Sequence, residues 1–100
     1  MNLHFHVEIA DEVSEILLHL YAERPGWDEI FEQELEGILA RCLEQPRIYQ
    51  RASTRLAVDF RRALFDRFPY TLIYRIRAKS IDVLSIHHNA RHPRHWMQRI

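Results

Sequence analysis

A chain of 100 residues, 47% of them hydrophobic, has material for one modest core and none for a second, so residues 1–100 are expected to form a single domain. One cysteine, Cys42, can build neither an internal disulfide nor a thiolate zinc site, and only two glycines and four prolines argue against disorder. The formal charge is zero, yet residues 1–50 carry eleven acids against three arginines and residues 51–100 carry eleven basic residues against three acids, −8 against +8. Such a chain either presents one acidic and one basic surface or neutralises its halves against each other. The opening MNLHFHVEIADEV lacks a basic region and a long apolar run, and no stretch approaches the ~20 apolar residues of a membrane span. With its lone thiol, the expectation is a protein of the reducing cytoplasm.

Residues 3–9 alternate, with Leu3, Phe5, Val7 and Ile9 on one side, and predict a half-buried strand. Asp11 offers an N-cap to a helix whose stripe is Val13, Ile16, Leu17, Leu20 and Tyr21, ending at Glu23-Arg24-Pro25-Gly26. Asp28 offers the next cap, to a helix reaching Gln45 with Phe31, Leu35, Ile38, Leu39, Cys42 and Leu43 on one side and acids on the other. Gly37 sits in its middle at a cost of about 1 kcal/mol relative to alanine, and close approach of the two helices would account for it.

Residues 46–60 carry no decisive period. Strands are predicted at 61–67, 70–77 and 81–87, joined by spacers short enough for hairpins. In YTLIYRIR, Tyr70, Leu72, Tyr74 and Ile76 share one face, while Thr71, Ile73, Arg75 and Arg77 share the other, expected to be the wetter. The order β-α-α-β-β-β predicts an α+β fold, a helical hairpin on a small, mainly antiparallel sheet.

The stretch RRALFDRFPYTLIYRI (61–76), the closing IDVLSIHHNARHPRHW (81–96) and this element order resemble the ParE branch of the ParE/RelE toxin superfamily. The sharpest motifs are Arg67-Phe68-Pro69-Tyr70, Tyr74-Arg75 and the frame His88-x-x-Arg91-x-Pro93-Arg94-x-Trp96. The family usually reads His-Gly-Arg-Arg-Asp-Pro-Arg-Arg-Trp at that frame. Asn89, Ala90, His92 and His95 replace its Gly, Arg, Asp and Arg, which removes two permanent charges. The resemblance implies the toxin of a type II toxin–antitoxin module, held inactive by a cognate antitoxin. ParE-like members inhibit DNA gyrase by binding. RelE-like members are ribosome-dependent mRNA endonucleases, and a member that only binds antitoxin is a third outcome.

Cleaving RNA requires a base for the 2′-hydroxyl, an acid for the leaving oxygen and a cation for the phosphorane. The lone lysine, Lys79, falls in a predicted turn, and Thr71 stands where many ribonuclease members carry arginine. His88, Arg91, Arg75 and Tyr74 are the substitute catalytic set; otherwise the chain is not an enzyme. His88 and His92 share i, i+4 spacing, but Pro93 opposes a helix across them and no acid or thiolate is near, so no metal site and no cofactor are expected. A binding mode asks least: His88, Arg91, Arg94, Trp96 and Arg99 of the tail, with Arg61, Arg62 and Arg67, are the candidate target contacts. Trp96 has a second reading, as a core side chain that ties down the chain end. A hydrophobic hairpin and an exposed strand edge would suit an antitoxin segment that orders on binding.

Overall fold

Proline and glycine punctuate the helical hairpin. In the computed structural model, which describes residues 1–99, helix α1 (Ile9–Glu23) stops at Arg24, whose backbone is extended because Pro25 follows it. Gly26 then turns the chain with φ +101°, a left-handed conformation that glycine adopts without strain, and α2 (Trp27–Glu44) begins. Asp28 is therefore inside the helix rather than its cap, and its carboxylate accepts the Gly26 N–H at 3.2 Å. Likewise α1 starts two residues before Asp11 and leaves Asp11 and Glu12 in its first turn, where the helix dipole favours acids.

Five strands form one sheet in the order β1-β5-β4-β3-β2: β1 (Asn2–Phe5), β2 (Gln50–Arg51), β3 (Phe60–Leu64), β4 (Tyr70–Ile76) and β5 (Ser80–His88). β1 lies parallel to β5, and the other neighbours are antiparallel. The predicted strand 3–9 stops at Phe5: Phe5 and Val7 are exposed, and only Ile9, already helical, is buried. The strand predicted at 61–67 runs from Phe60 to Leu64. Residues 46–60 supply the two-residue β2, and a short helix α3 (Arg94–Met97) follows β5.

The hairpin covers one face of the sheet. Phe31 of α2 is fully buried, stacks on Phe65 at 4.6 Å, and meets Phe68 and Tyr70 edge-on. Ile16 and Leu20 of α1, Leu72 and Tyr74 of β4, and Ile81, Val83 and Ile86 of β5 complete this core. Tyr21, expected in the α1 stripe, lies exposed instead.

The opposite face has a smaller core of Phe60, Ile73, Leu84 and Trp96. It exists because β5 carries a bulge: Ile73 pairs with Ser85 but Tyr74 pairs with Val83, so Leu84 is an extra residue. Leu84 and Ser85 thus turn successively away from the hairpin, while Ile81, Val83 and Ile86 keep facing it. The face of β4 expected to be wet is consequently covered along its centre, with Thr71 and Ile73 buried.

Gly37 serves no helix–helix contact. A Cβ there would meet only the Arg41 guanidinium, at 3.7 Å, an ordinary contact. Gly37→Ala is therefore expected to raise stability by about 0.5–1 kcal/mol, the helix-propensity difference, read as a higher urea midpoint at unchanged m-value.

Candidate contact surface

Exposed acids of the first half and several exposed arginines of the second lie on opposite sides of the sheet. Glu15, Glu23, Glu29, Glu32 and Glu36 are exposed on the helices. Arg55, Arg62 and Arg91 are exposed along the sheet face away from them, and Arg94 is exposed on α3, which packs on that face through Trp96. Among the described residues, Glu12 is the one acid of residues 1–50 within ion-pair distance of a cation from residues 51–100. Arg47 and His4 of the first half reach Asp59 and Asp82 of the second, at 3.9 and 3.6 Å, and most of the charge of the two halves is not neutralised across them.

On the sheet face away from the hairpin, a groove of about 640 Å³ runs between the 52–55 segment and the tail. Arg55, Arg62 and Arg91 lie along it, with Leu64 and Met97 as exposed apolar surface and Trp96 and Ile73 below. The strand period puts Arg62 and Leu64 here, since they pair with Ile73 and Thr71 on the same face. The Thr71 hydroxyl donates to the Asn89 side-chain carbonyl and so ties the turn after β5 to β4.

The tail that borders the groove is built by its own polar groups. His88 Nδ1 accepts the Ala90 N–H at 3.0 Å, and His92 Nδ1 accepts the Arg94 N–H at 3.1 Å. These histidines shape turns. His87 and His95 are largely covered. His87 is buried against the Ser85 hydroxyl at 2.7 Å, and its burial, with the neighbouring His95, pushes its pKa down to about 4.

Beyond Val83, β1 no longer covers the outer edge of β5, and side chains take over. Arg99 donates to the Leu84 carbonyl at 2.9 Å, and Glu12 accepts the Ile86 N–H at 3.2 Å. The two side chains form a fork–fork pair at 2.9 and 3.0 Å, joined by His95 Nε2 at 2.9 Å from Glu12. Burial opposes the charge on Glu12. The hydrogen bonds from Arg99, His95 and the Ile86 N–H outweigh it and hold the carboxyl below its usual range. This clasp occupies part of the strand edge that was expected to stay open for a partner.

Several candidate contacts are therefore committed within the fold. Arg99 is tied to Glu12, with its side chain 12% exposed. Trp96 is 4% exposed and lies 5.6 Å from the Phe60 ring. Arg61 points to the hairpin side, bonds both oxygens of Asp59, and donates to the Tyr49 carbonyl. That bonding, first of all, holds Asp59 below the usual carboxylate range. Arg91, Arg94 and Arg62, whose Nη2 donates to the Gln50 side-chain carbonyl at 3.2 Å, remain exposed. His88 and Arg67 are exposed elsewhere, at a cavity of about 420 Å³ between the hairpin and the 67–70 turn. Arg55, Leu64 and Met97 had not been singled out. Leu64 was legible from its alternation with Arg62, whereas Arg55 sits in a stretch without periodicity.

The substitute catalytic set does not converge. Tyr74 is fully buried on the hairpin side, its hydroxyl donates to the Pro46 carbonyl, and burial raises its pKa far above neutral. Arg75 faces the other side of the sheet, its guanidinium over the Phe60 ring. His88 pairs with Tyr70, four residues along β4 from Tyr74, which is roughly 13 Å at strand rise. Among the described residues no group of three or more His, Cys, Asp or Glu side chains is placed to hold a metal ion, and no helix is long and apolar enough to cross a membrane.

Comparison with known proteins gives this geometry a lineage. A solved structure described as the chromosomal ParDE TA system from P. aeruginosa superposes with a TM-score of 0.73 over 88% of this chain and 95% of that one. At 20% identity that likeness concerns the fold. No curated protein matches the sequence significantly. The model of the family described as the ParE toxin of the type II toxin–antitoxin system parDE matches residues 3–93, and the chain belongs to that family.

Proposed function

We propose that this ParE-family toxin acts by binding DNA gyrase in the cytoplasm through the sheet face that carries Arg62, Arg91 and Arg94, and that its cognate antitoxin neutralises it. The observation that carries this reading is the gathering of charge: exposed arginines with no ion-pair partner among the described residues share one side of a chain whose net charge is zero. Arginines beside exposed aliphatic surface suit a protein target, and binding requires no convergent acid and base. An endonuclease reading would need Tyr74, Arg75, His88 and Arg91 to surround one phosphate, and they occupy two faces of the sheet.

Purified toxin in a gyrase supercoiling assay, beside a ribosome-dependent mRNA cleavage assay, tests the proposal. Inhibition of supercoiling without cleavage is expected. Cleavage of message would replace it with the endonuclease reading, and inactivity in both assays would leave an antitoxin-binding protein. Replacing both Arg91 and Arg94 with alanine is expected to raise the half-inhibitory concentration at least about tenfold, since each exposed fork contributes about 1 kcal/mol. Antitoxin affinity is expected to stay within a few-fold. Full potency of the double variant would remove the tail from the target contact.

A further inference from the structure

We propose that the groove on the open sheet face receives an acidic polypeptide segment of gyrase that carries aliphatic side chains, and is not a track for nucleic acid. The inference rests on the gyrase reading above and specifies what the toxin would grip.

Charge gives the first argument. Arg55, Arg62 and Arg91 border the groove, no acidic side chain lines it, and none of the three has an ion-pair partner among the described residues. Carboxylates placed along it would meet guanidinium forks on both sides. A polyanion is a different matter. The chain has a pI of about 7.1 and an acidic helical side, so cations beyond this one face are few and a phosphate backbone leaving it would meet repulsion.

The apolar surface gives the second argument. Single strands are held by bases stacking on exposed aromatic rings. Here Trp96 is 4% and Phe60 1% exposed, whereas Leu64 is 55% and Met97 39% exposed. The rings are beneath the floor, and what the floor presents is aliphatic. Duplex DNA is read by a helix or ribbon protruding into its groove, and this surface is itself concave. Leu64 and Met97 offer aliphatic side chains of a peptide apolar partners, and the Asn89 amide, whose carbonyl already accepts from Thr71, has N–H groups left to donate to a backbone carbonyl.

Titration of the isotope-labelled toxin with a short glutamate–leucine peptide, and separately with oligothymidine and oligouridine, tests the chemistry. Saturable amide shifts at Arg62, Leu64, Asn89 and Arg91 are expected with the peptide alone. They should weaken at least about tenfold in the Arg62→Glu, Arg91→Glu variant, whose thermal midpoint should match the parent because both side chains are exposed. Shifts at these residues with the oligonucleotides and not the peptide would overturn the proposal. So would groove shifts that grow with toxin concentration alone, which would make a second copy the occupant.

A photo-crosslinking benzoylphenylalanine in place of Leu64 tests the source, in gyrase holoenzyme with bound DNA. Capture of an acidic gyrase segment is expected, and capture of DNA overturns the proposal. If the substituted toxin inhibits supercoiling yet crosslinks no gyrase, the groove is not the contact and the proposal fails alone. If the unsubstituted toxin does not inhibit supercoiling while the peptide still shifts the groove, it is the gyrase reading that fails.

Discussion

Trp96→Ala is expected to destabilise the protein by about 3–5 kcal/mol, a large part of the total for a domain of this size. The indole is 4% exposed and closes a core otherwise made of Phe60, Ile73 and Leu84. Few neighbours can move inward, because Ile73 and Leu84 are fixed on strands and Phe60 is held at the start of β3. A four-residue helix has no independent stability, so losing its anchor should also release the chain from Pro93 onward. Urea denaturation measures the first effect. Faster proteolysis after Arg91 or Arg94, at denaturant concentrations where the sheet remains folded, measures the second. Trp96→Phe should recover more than half of the loss. A change below about 1 kcal/mol would mean the indole contributes by contact with a partner rather than by packing.

Acidification is expected to remove about 3 kcal/mol between pH 6.5 and pH 4, and more below. Burial lowers the folded-state pKa of His87 from 6.5 to about 4, so in that interval the unfolded chain binds a proton that the folded chain refuses. Stability is fully present above pH 6.5 and falls by up to about 1.4 kcal/mol per pH unit as pH drops. Glu12 acts in the same direction over a lower range. Its folded-state pKa lies below the ordinary 4.5, so its contribution is complete above that value and disappears as pH falls through the depressed one. His87→Gln, which keeps a polar partner for Ser85 but cannot charge, should flatten the curve between pH 6.5 and 4.5 and leave the lower limb. A flat wild-type curve from pH 7 to pH 5 would contradict the assignment to His87.

The parts of this fold that sequence revealed are those governed by neighbours in the chain. The helical stripes, the Pro25-Gly26 turn and the alternation of YTLIYRIR all follow from local period and backbone sterics. Alternation alone could not show that Ile73, on the arginine side, is buried, because its cover comes from Phe60 and Trp96. Leu84-Ser85 breaks the strand period by one residue, and only pairing with β4 reveals the bulge. The candidate contact surface was legible in its arginines and not in their availability. Arg61, Arg91 and Arg99 read alike as sequence; Asp59 and Glu12, 2 and 87 residues from their partners, decide which of them stay free. The histidine-rich stretch drew attention to proton chemistry, yet His88 and His92 bond to backbone two residues away and shape turns.

The parallel pairing of β1 with β5 has a consequence for the order of synthesis. Asn2 lies opposite Ser80, so the first strand made has no place in the sheet until the last strand leaves the ribosome. β5 is also the strand onto which α1 fastens through Glu12 and Ile86, and the residues that complete this fastening, His95 and Arg99, come later still. The helical hairpin can form early, but its apolar side must wait for β4 and β5. For this toxin, assembly therefore waits for β5 and the residues that follow it, and a nascent chain presents neither the groove nor the arginine face before they have left the ribosome.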